Sequence, residues 1–182
     1  RGTAYVVIED FPLAAFGNRV PQFSFEVVRH AQRDMPDHDS AVSQIVRGVA
    51  MIPGTGEYAL ASSQVNFKKA GKSWAANAHS ASGATDFLSS TRALDAELPN
   101  CDAASLVVSW FGDDLRCGTC QIRPKVEQNS IDSRDMPWAV ADQNRSTAGI
   151  VAKENGRSIY GGTPADAAVV EAIRHLKQSG KR

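Results

Sequence analysis

The sequence predicts an α/β fold with a β-rich N-terminal part, and three observations carry that expectation. Leu106-Val107-Val108 with Trp110 and Phe111 is a nearly continuous apolar run, as expected of a strand covered on both faces in a parallel sheet flanked by helices. Helical spacing with capping signals lies before it, from Thr85, and after it, from Thr163. The first thirty or so positions carry instead the β-branched and alternating runs of strands.

The bulk properties narrow the function classes. The 182 residues, 42% hydrophobic and 22% charged, can bury the core of one medium domain or two small ones. Twenty basic residues balance twenty acidic ones, so a nucleic-acid or anionic-membrane partner has no electrostatic support. No apolar run approaches the roughly 20 residues that span a bilayer, and no signal-peptide pattern opens the chain, which reads as soluble. The chain starts at Arg1 and stops at Arg182 directly after a helix, and is expected to be a piece of a longer polypeptide. Cys101, Cys117 and Cys120 are too few and too unevenly spaced for a disulfide framework.

Taken in order, Ala4 to Glu9 and Phe23 to Val28 read as strands joined by an irregular loop, and Arg29 to Ser40 as an exposed polar loop. Asp39 or Ser40 is expected to cap a short helix with Val42, Ile45 and Val46 on one face. Pro53-Gly54-Thr55-Gly56 makes a turn, and Tyr58 to Val65 returns as a strand. Asn66 to Gly83 has Trp74 as its one large anchor and is expected to be an extended crossing segment. Thr85 caps a helix with Asp86 in its first turn and Phe87, Leu88, Thr91, Leu94 and Leu98 at helical spacing, stopped by Pro99-Asn100. The apolar strand follows from Ser105.

Beyond it, Gln121 to Glu127 reads as an edge strand around Pro124, and Met136-Pro137-Trp138 as an anchored loop. Thr147 to Ala152 and Ser158 to Tyr160 resemble a hairpin turned at Asn155-Gly156. Thr163-Pro164-Ala165-Asp166 predicts a helix start, with Thr163 as cap, an apolar face of Val169, Val170, Ile173 and Leu176, and Gly180 as its stop.

The candidate ligand-binding residues are Trp110, Asp113 and Asp114. Acids at the end of a buried strand can bind a metal, orient a sugar hydroxyl or act as a base, and a neighbouring tryptophan can stack on a sugar ring. A Gly-Asp-Asp turn that caps its own segment explains the same residues without a ligand. Cys117-Gly118-Thr119-Cys120 has the spacing for redox exchange, half a zinc site or a local disulfide. Scattered His30, His38, His79 and His175 offer no companion spacing for zinc, which leaves a Cys117–Cys120 disulfide or two free thiols pinning the turn. The glycine-rich runs 53–57 and 160–164 lack a Walker lysine and the dinucleotide spacing, so turn and cap chemistry accounts for them. No catalytic residue, metal or cofactor is assigned.

Several blocks taken together carry a resemblance. They are Arg1-Gly2-Thr3-Ala4-Tyr5-Val6-Val7, Pro12-Leu13, Phe16-Gly17-Asn18-Arg19-Val20-Pro21, Ile52-Pro53-Gly54-Thr55-Gly56-Glu57 and Leu98-Pro99-Asn100. Trp110-Phe111-Gly112-Asp113-Asp114-Leu115-Arg116 with its Cys-Gly-Thr-Cys, and Tyr160-Gly161-Gly162-Thr163-Pro164-Ala165-Asp166-Ala167, follow in the same order. The chain resembles the large tail-tip hub protein of gene transfer agents and related tailed phages, which carries a TIM-barrel-like, glycoside-hydrolase-like domain. The resemblance implies that residues 1–60 belong to a β-rich tail hub domain, 61–84 to a linker, and 85–182 to the start of the barrel, with the hairpin region inserted. The strand from Ser105 would be the first barrel strand and the helix from Thr163 the first barrel helix. It further implies a structural part of a tail tip or baseplate, made in the bacterial cytoplasm and acting in host attachment and envelope penetration. Its partners would be other copies of itself, neighbouring tail proteins and a host cell-surface or cell-wall glycan. The alternative is part of a glycoside hydrolase acting on cell-wall glycan; the carboxylates that such a barrel would use lie on later strands, so none transfers to this chain.

Overall fold

The computed structural model describes residues 6–12, 41–80 and 82–182. The chain divides into two compact units, Arg1–His30 and Ala31–Arg182. In the first, residues 6–9 carry no strand, so the one expected over Ala4 to Glu9 is not formed there; Phe23 to Val28 and the polar loop after it lie outside the described residues.

The second unit is mixed α/β, with three helices and small two-stranded sheets among the described residues. Helix α1 (Val42–Ile45) is a single turn that starts after Ala41, with no side-chain cap, and its Val42 and Ile45 are exposed. Strand β1 (Gly48–Met51) follows. The strand expected from Tyr58 to Val65 is instead a buried turn, in which Tyr58, Leu60, Ala61 and Val65 all face the core. Its backbone is satisfied by a buried side chain rather than a ladder: Asn77 accepts from the Val65 N–H and donates to the carbonyls of Ala61 and Ser63.

Asn66 to Gly83 is likewise not a plain crossing segment. It folds into an antiparallel hairpin, β2 (Asn66–Lys69) and β3 (Lys72–Ala75). Ala70 and Gly71 both adopt positive φ, 48° and 78°, as a two-residue hairpin turn of matching twist requires. The hairpin holds because Phe67 and Trp74 are direct cross-strand partners, their rings 5.9 Å apart.

Helix α2 (Asp86–Glu97) starts as its sequence predicts, with the Thr85 hydroxyl accepting the Leu88 N–H at 3.2 Å. It leads to β4 (Ala103–Leu106), which pairs in parallel with β1, Gly48 opposite Ala103 and Met51 opposite Leu106. The pairing is parallel, but the strand sits earlier than predicted: it ends at Leu106, and the apolar run beyond it is not covered on both faces. Val107, Val108 and Trp110 are 40%, 37% and 44% exposed. The Val107 N–H reaches the Met51 carbonyl, and the neighbouring strand then runs into Pro53, which has no N–H to extend the ladder.

Short pairs fill the insertion. β5 (Phe111–Gly112) pairs with β6 (Ile122–Arg123), and Pro124 separates β6 from β7 (Lys125–Val126). β8 (Ala139–Val140) and β9 (Gln143–Asn144) form a hairpin beside the loop anchored by buried Met136 and Trp138. β10 (Gly149–Ile150) pairs in parallel with β7, which takes it out of the expected hairpin. That hairpin is therefore confined to β11 (Lys153–Glu154) and β12 (Arg157–Ser158) around Asn155-Gly156.

Helix α3 (Asp166–Gln178) begins two residues later than Thr163 capping implies, with Ala165 as its cap. Thr163 is held elsewhere: its N–H donates to the Lys125 carbonyl and its hydroxyl accepts the Lys125 N–H. The buried face is Ala168, Ala172 and Leu176, whereas Val170 and Ile173 of the expected face are exposed. Gly180, at φ 79°, ends the helix. The Arg182 N–H then donates to the Asp102 carbonyl at 2.8 Å, and the Arg182 carbonyl accepts the Ala104 N–H at 2.9 Å. These two bonds span Ala103 as a parallel neighbour of β4 would. The order is thus β1, α2, β4, α3, then backbone returning beside β4.

Candidate functional site

The site grows from a backbone contact between the two glycine-rich runs. A Cβ on Gly161 would run into the backbone of Thr55 and Gly56, and one on Gly162 would sit 2.6 Å from the Glu57 Cγ. Both positions need glycine so that the 160–164 segment can lie directly on the turn before Glu57. That approach buries Glu57, which is 5% exposed.

A carboxylate so buried needs full compensation, and Arg145, 3% exposed, supplies it. Arg145 Nη2 donates to Glu57 Oε2 at 2.5 Å and to the Tyr58 hydroxyl at 3.1 Å, Nε donates to Asp132 Oδ1 at 2.8 Å, and Nη1 to the Gln128 carbonyl at 2.9 Å. Glu57 Oε1 accepts the Glu127 N–H at 2.8 Å, so both of its oxygens are committed. Asp132 also accepts from the backbone of Ser133 and Trp138 and from the Tyr58 hydroxyl, which ties the anchored loop to the same centre. Burial raises the Tyr58 phenol well above its ordinary range, against the pull of Arg145, so it remains neutral. Burial alone would lower the Arg145 pKa; the hydrogen bonds to Glu57 and Asp132 outweigh it and raise the net value. The guanidinium lies 5.4 Å from the Phe67 ring centroid and 5.9 Å from that of Tyr58.

Above this centre is a pocket of about 310 Å³, bounded by Thr55 to Tyr58, the hairpin residues Phe67 and Trp74, His79, and Glu127 with Gln128. Trp74, 45% exposed, presents an indole there. His79 Nδ1 is 2.8 Å from Asp86 Oδ2. Glu127 is half-buried, and its carboxyl is raised above the usual range, first by burial and then by repulsion from Glu57. Gln128 is spent on its own loop, donating to the Ile131 carbonyl and accepting from the Ser130 and Ile131 N–H groups.

No family model matches this chain, and no curated protein matches it.

The residues singled out in the sequence lie on another feature, the turn between β5 and β6. Asp113 accepts the Gln121 N–H at 2.8 Å. Asp114 accepts from the Arg116 guanidinium, from the Arg116 N–H and from the Thr119 hydroxyl, which hold its carboxyl well below the usual carboxylate range. Trp110 is exposed and does not line the pocket. Cys117 is exposed and Cys120 half-buried, both as free thiols, with Cys120 packed against Gly112. Among the described residues, no group of three or more His, Cys, Asp and Glu is placed to hold a metal ion.

The pocket residues went unnoticed in the sequence because their signal is not local. Glu57 and Arg145 are 88 positions apart. The nearest available hint was Phe67 and Trp74 with Ala70-Gly71 midway between them, which is a hairpin pattern.

Proposed function

We propose that this chain is a structural segment of a phage-like tail tip or baseplate, belonging to a gene transfer agent or a related prophage and acting in host attachment and envelope penetration. Its partners are other copies of itself, neighbouring tail proteins and a glycan of the host surface or wall. The observation that supports this reading is the order β1–α2–β4–α3 with β1 and β4 parallel, followed by the hydrogen bonds of Arg182 beside β4; on this reading the barrel would start at β1, ahead of the Ser105 strand that the resemblance makes its first. Strands added one after another in parallel, each preceded by a helix, are how a (β/α) barrel is assembled, and the resemblance supplies such a barrel in a tail-tip protein. Exposed Val107, Val108, Trp110, Leu115 and Ile122 support it further, as apolar surface that an assembly would cover.

The alternative, part of a glycoside hydrolase acting on cell-wall glycan, has one point of support: half-buried Glu127, whose raised pKa suits a general acid. Asp113 and Asp114 serve their turn and Glu57 serves Arg145, so the geometry favours the structural reading.

Peptide mapping of gradient-purified phage-like particles tests the proposal. The chain is expected with intact tails and missing from tailless heads; recovery solely in the particle-free fraction would overturn it.

A further inference from the structure

The pocket above Arg145 is lined by aromatic rings and by two acids. Tyr58, Phe67 and Trp74 supply the rings: Tyr58 and Phe67 meet edge-on with centroids 5.8 Å apart, and Phe67 and Trp74 lie 5.9 Å apart at a tilt of 35°. The Arg145 guanidinium already lies near Tyr58 and Phe67. Trp74 is the exposed ring of the three, with area left over for a ligand.

The two acids are Glu57 and Glu127. Glu57 has both oxygens committed, Oε2 to Arg145 and Oε1 to the Glu127 N–H. Glu127 is in a different position. Its Oε1 stands 3.5 Å from where a Cβ on Gly56 would be, which sets it against another residue of the pocket lining. The Gly162 N–H assists it, and Arg145 and Lys153 attract it, yet among the described residues no cation forms an ion pair with it. Arg145 is spent, since its one guanidinium already answers two carboxylates, Glu57 and Asp132. His79 is paired with Asp86. The pocket therefore presents a half-buried carboxyl with another carboxylate beside it and no counter-ion of its own. A cation bound there would offset both the burial and the repulsion from Glu57 that raise the Glu127 carboxyl.

The surroundings select the kind of cation. Among the described residues no group of three or more His, Cys, Asp and Glu is placed to hold a metal ion, whereas aromatic faces attract a cation carried on a carbon framework. A volume of about 310 Å³ suits one sugar ring or a short alkyl chain. We propose that this pocket binds an organic ammonium group, its N–H donors on Glu127 and the carbon framework that carries it against Trp74. Two sources share that chemistry, an amino sugar and a plain alkylamine. With an amino sugar, the inference names the glycan of the tail-tip reading and rests on that reading for its biological setting. Binding to the purified chain needs no particle, so its failure is distinguishable from failure of the particle assay.

The probes are the chitosan disaccharide with its N-acetylated counterpart, and pentylamine with pentanol, titrated by calorimetry with the amines protonated. Each amine is expected to bind about tenfold tighter than its neutral counterpart, as a charge-assisted contact contributes. The tighter of the two amines identifies the source, and either supports the inference. Glu127→Gln keeps the size of the side chain and abolishes the preference for the amine, while Trp74→Ala weakens the amine and the neutral probe alike. A cooperative urea transition confirms that each variant is folded. Equal affinity of both amines and their neutral counterparts, an unchanged preference in Glu127→Gln, or no binding of either amine in the millimolar range would overturn the inference.

Discussion

Replacing Arg145 by methionine keeps an unbranched stem of similar length and removes the charge around which the loops of the second unit converge. Two carboxylates lose their partner. Glu57, 5% exposed, is left with the Glu127 N–H as its remaining donor, whereas the Asp132 side chain, 33% exposed, retains backbone donors and water. Breaking a buried ion pair from one side costs about 3–5 kcal/mol, and the half-solvated Asp132 adds less than about 1 kcal/mol. Set against a typical total of about 5–15 kcal/mol, that loss leaves the variant marginal. Urea unfolding at neutral pH, followed by tryptophan fluorescence, in which buried Trp138 is expected to give the largest change, measures it. Adding Glu57→Gln to Arg145→Met removes the stranded charge and is expected to recover much of the loss. A cost below about 1 kcal/mol for Arg145→Met, or no recovery in the double variant, would refute the claim that this centre holds the loops together.

Three further outcomes follow from the same geometry. Gly162→Ala places a methyl 2.6 Å from the Glu57 side chain and is expected to lose about 1–3 kcal/mol in the same unfolding assay, where a change near zero would mean the two glycine-rich runs do not touch. Glu127 has a raised folded pKa, so the stability linked to its protonation is present at low pH and lost as pH rises through that pKa. Glu127→Gln should therefore stabilise the chain at neutral pH by up to about 1 kcal/mol and flatten its melting temperature across mildly acidic pH, whereas an unchanged pH profile would contradict the burial of that carboxyl. Thr85→Ala removes the α2 cap and should cost about 1 kcal/mol, and Thr85→Ser should restore most of it; equal stability of all three would remove the capping role.

Where the physics was local, the sequence was a good guide. The Thr85 cap with the helix it starts and the Asn155-Gly156 turn both follow from neighbours in the chain. It misled where a distant partner decided the outcome. Thr163 looks like a cap but is bound to Lys125, and Tyr58 to Val65 looks like a strand but has its backbone satisfied by Asn77. On α3 the small alanines, not the larger Val170 and Ile173, face the core, which periodicity alone does not distinguish. The candidate pocket was illegible for the same reason: Glu57, Trp74 and Glu127 each belong to a different segment, and the close approach at Gly161 and Gly162 brings the 160–164 run onto the turn that holds Glu57. Asp113 and Asp114, conspicuous side by side, are held by their own turn.

The most direct test of the tail-tip assignment is electron microscopy of intact phage-like particles labelled with a gold-conjugated antibody against residues 66–75, the exposed hairpin. Gold is expected at the tip of the tail, distal to the head. Gold on the head or along the tail shaft, or particles without label beside a strongly labelled soluble fraction, would contradict it.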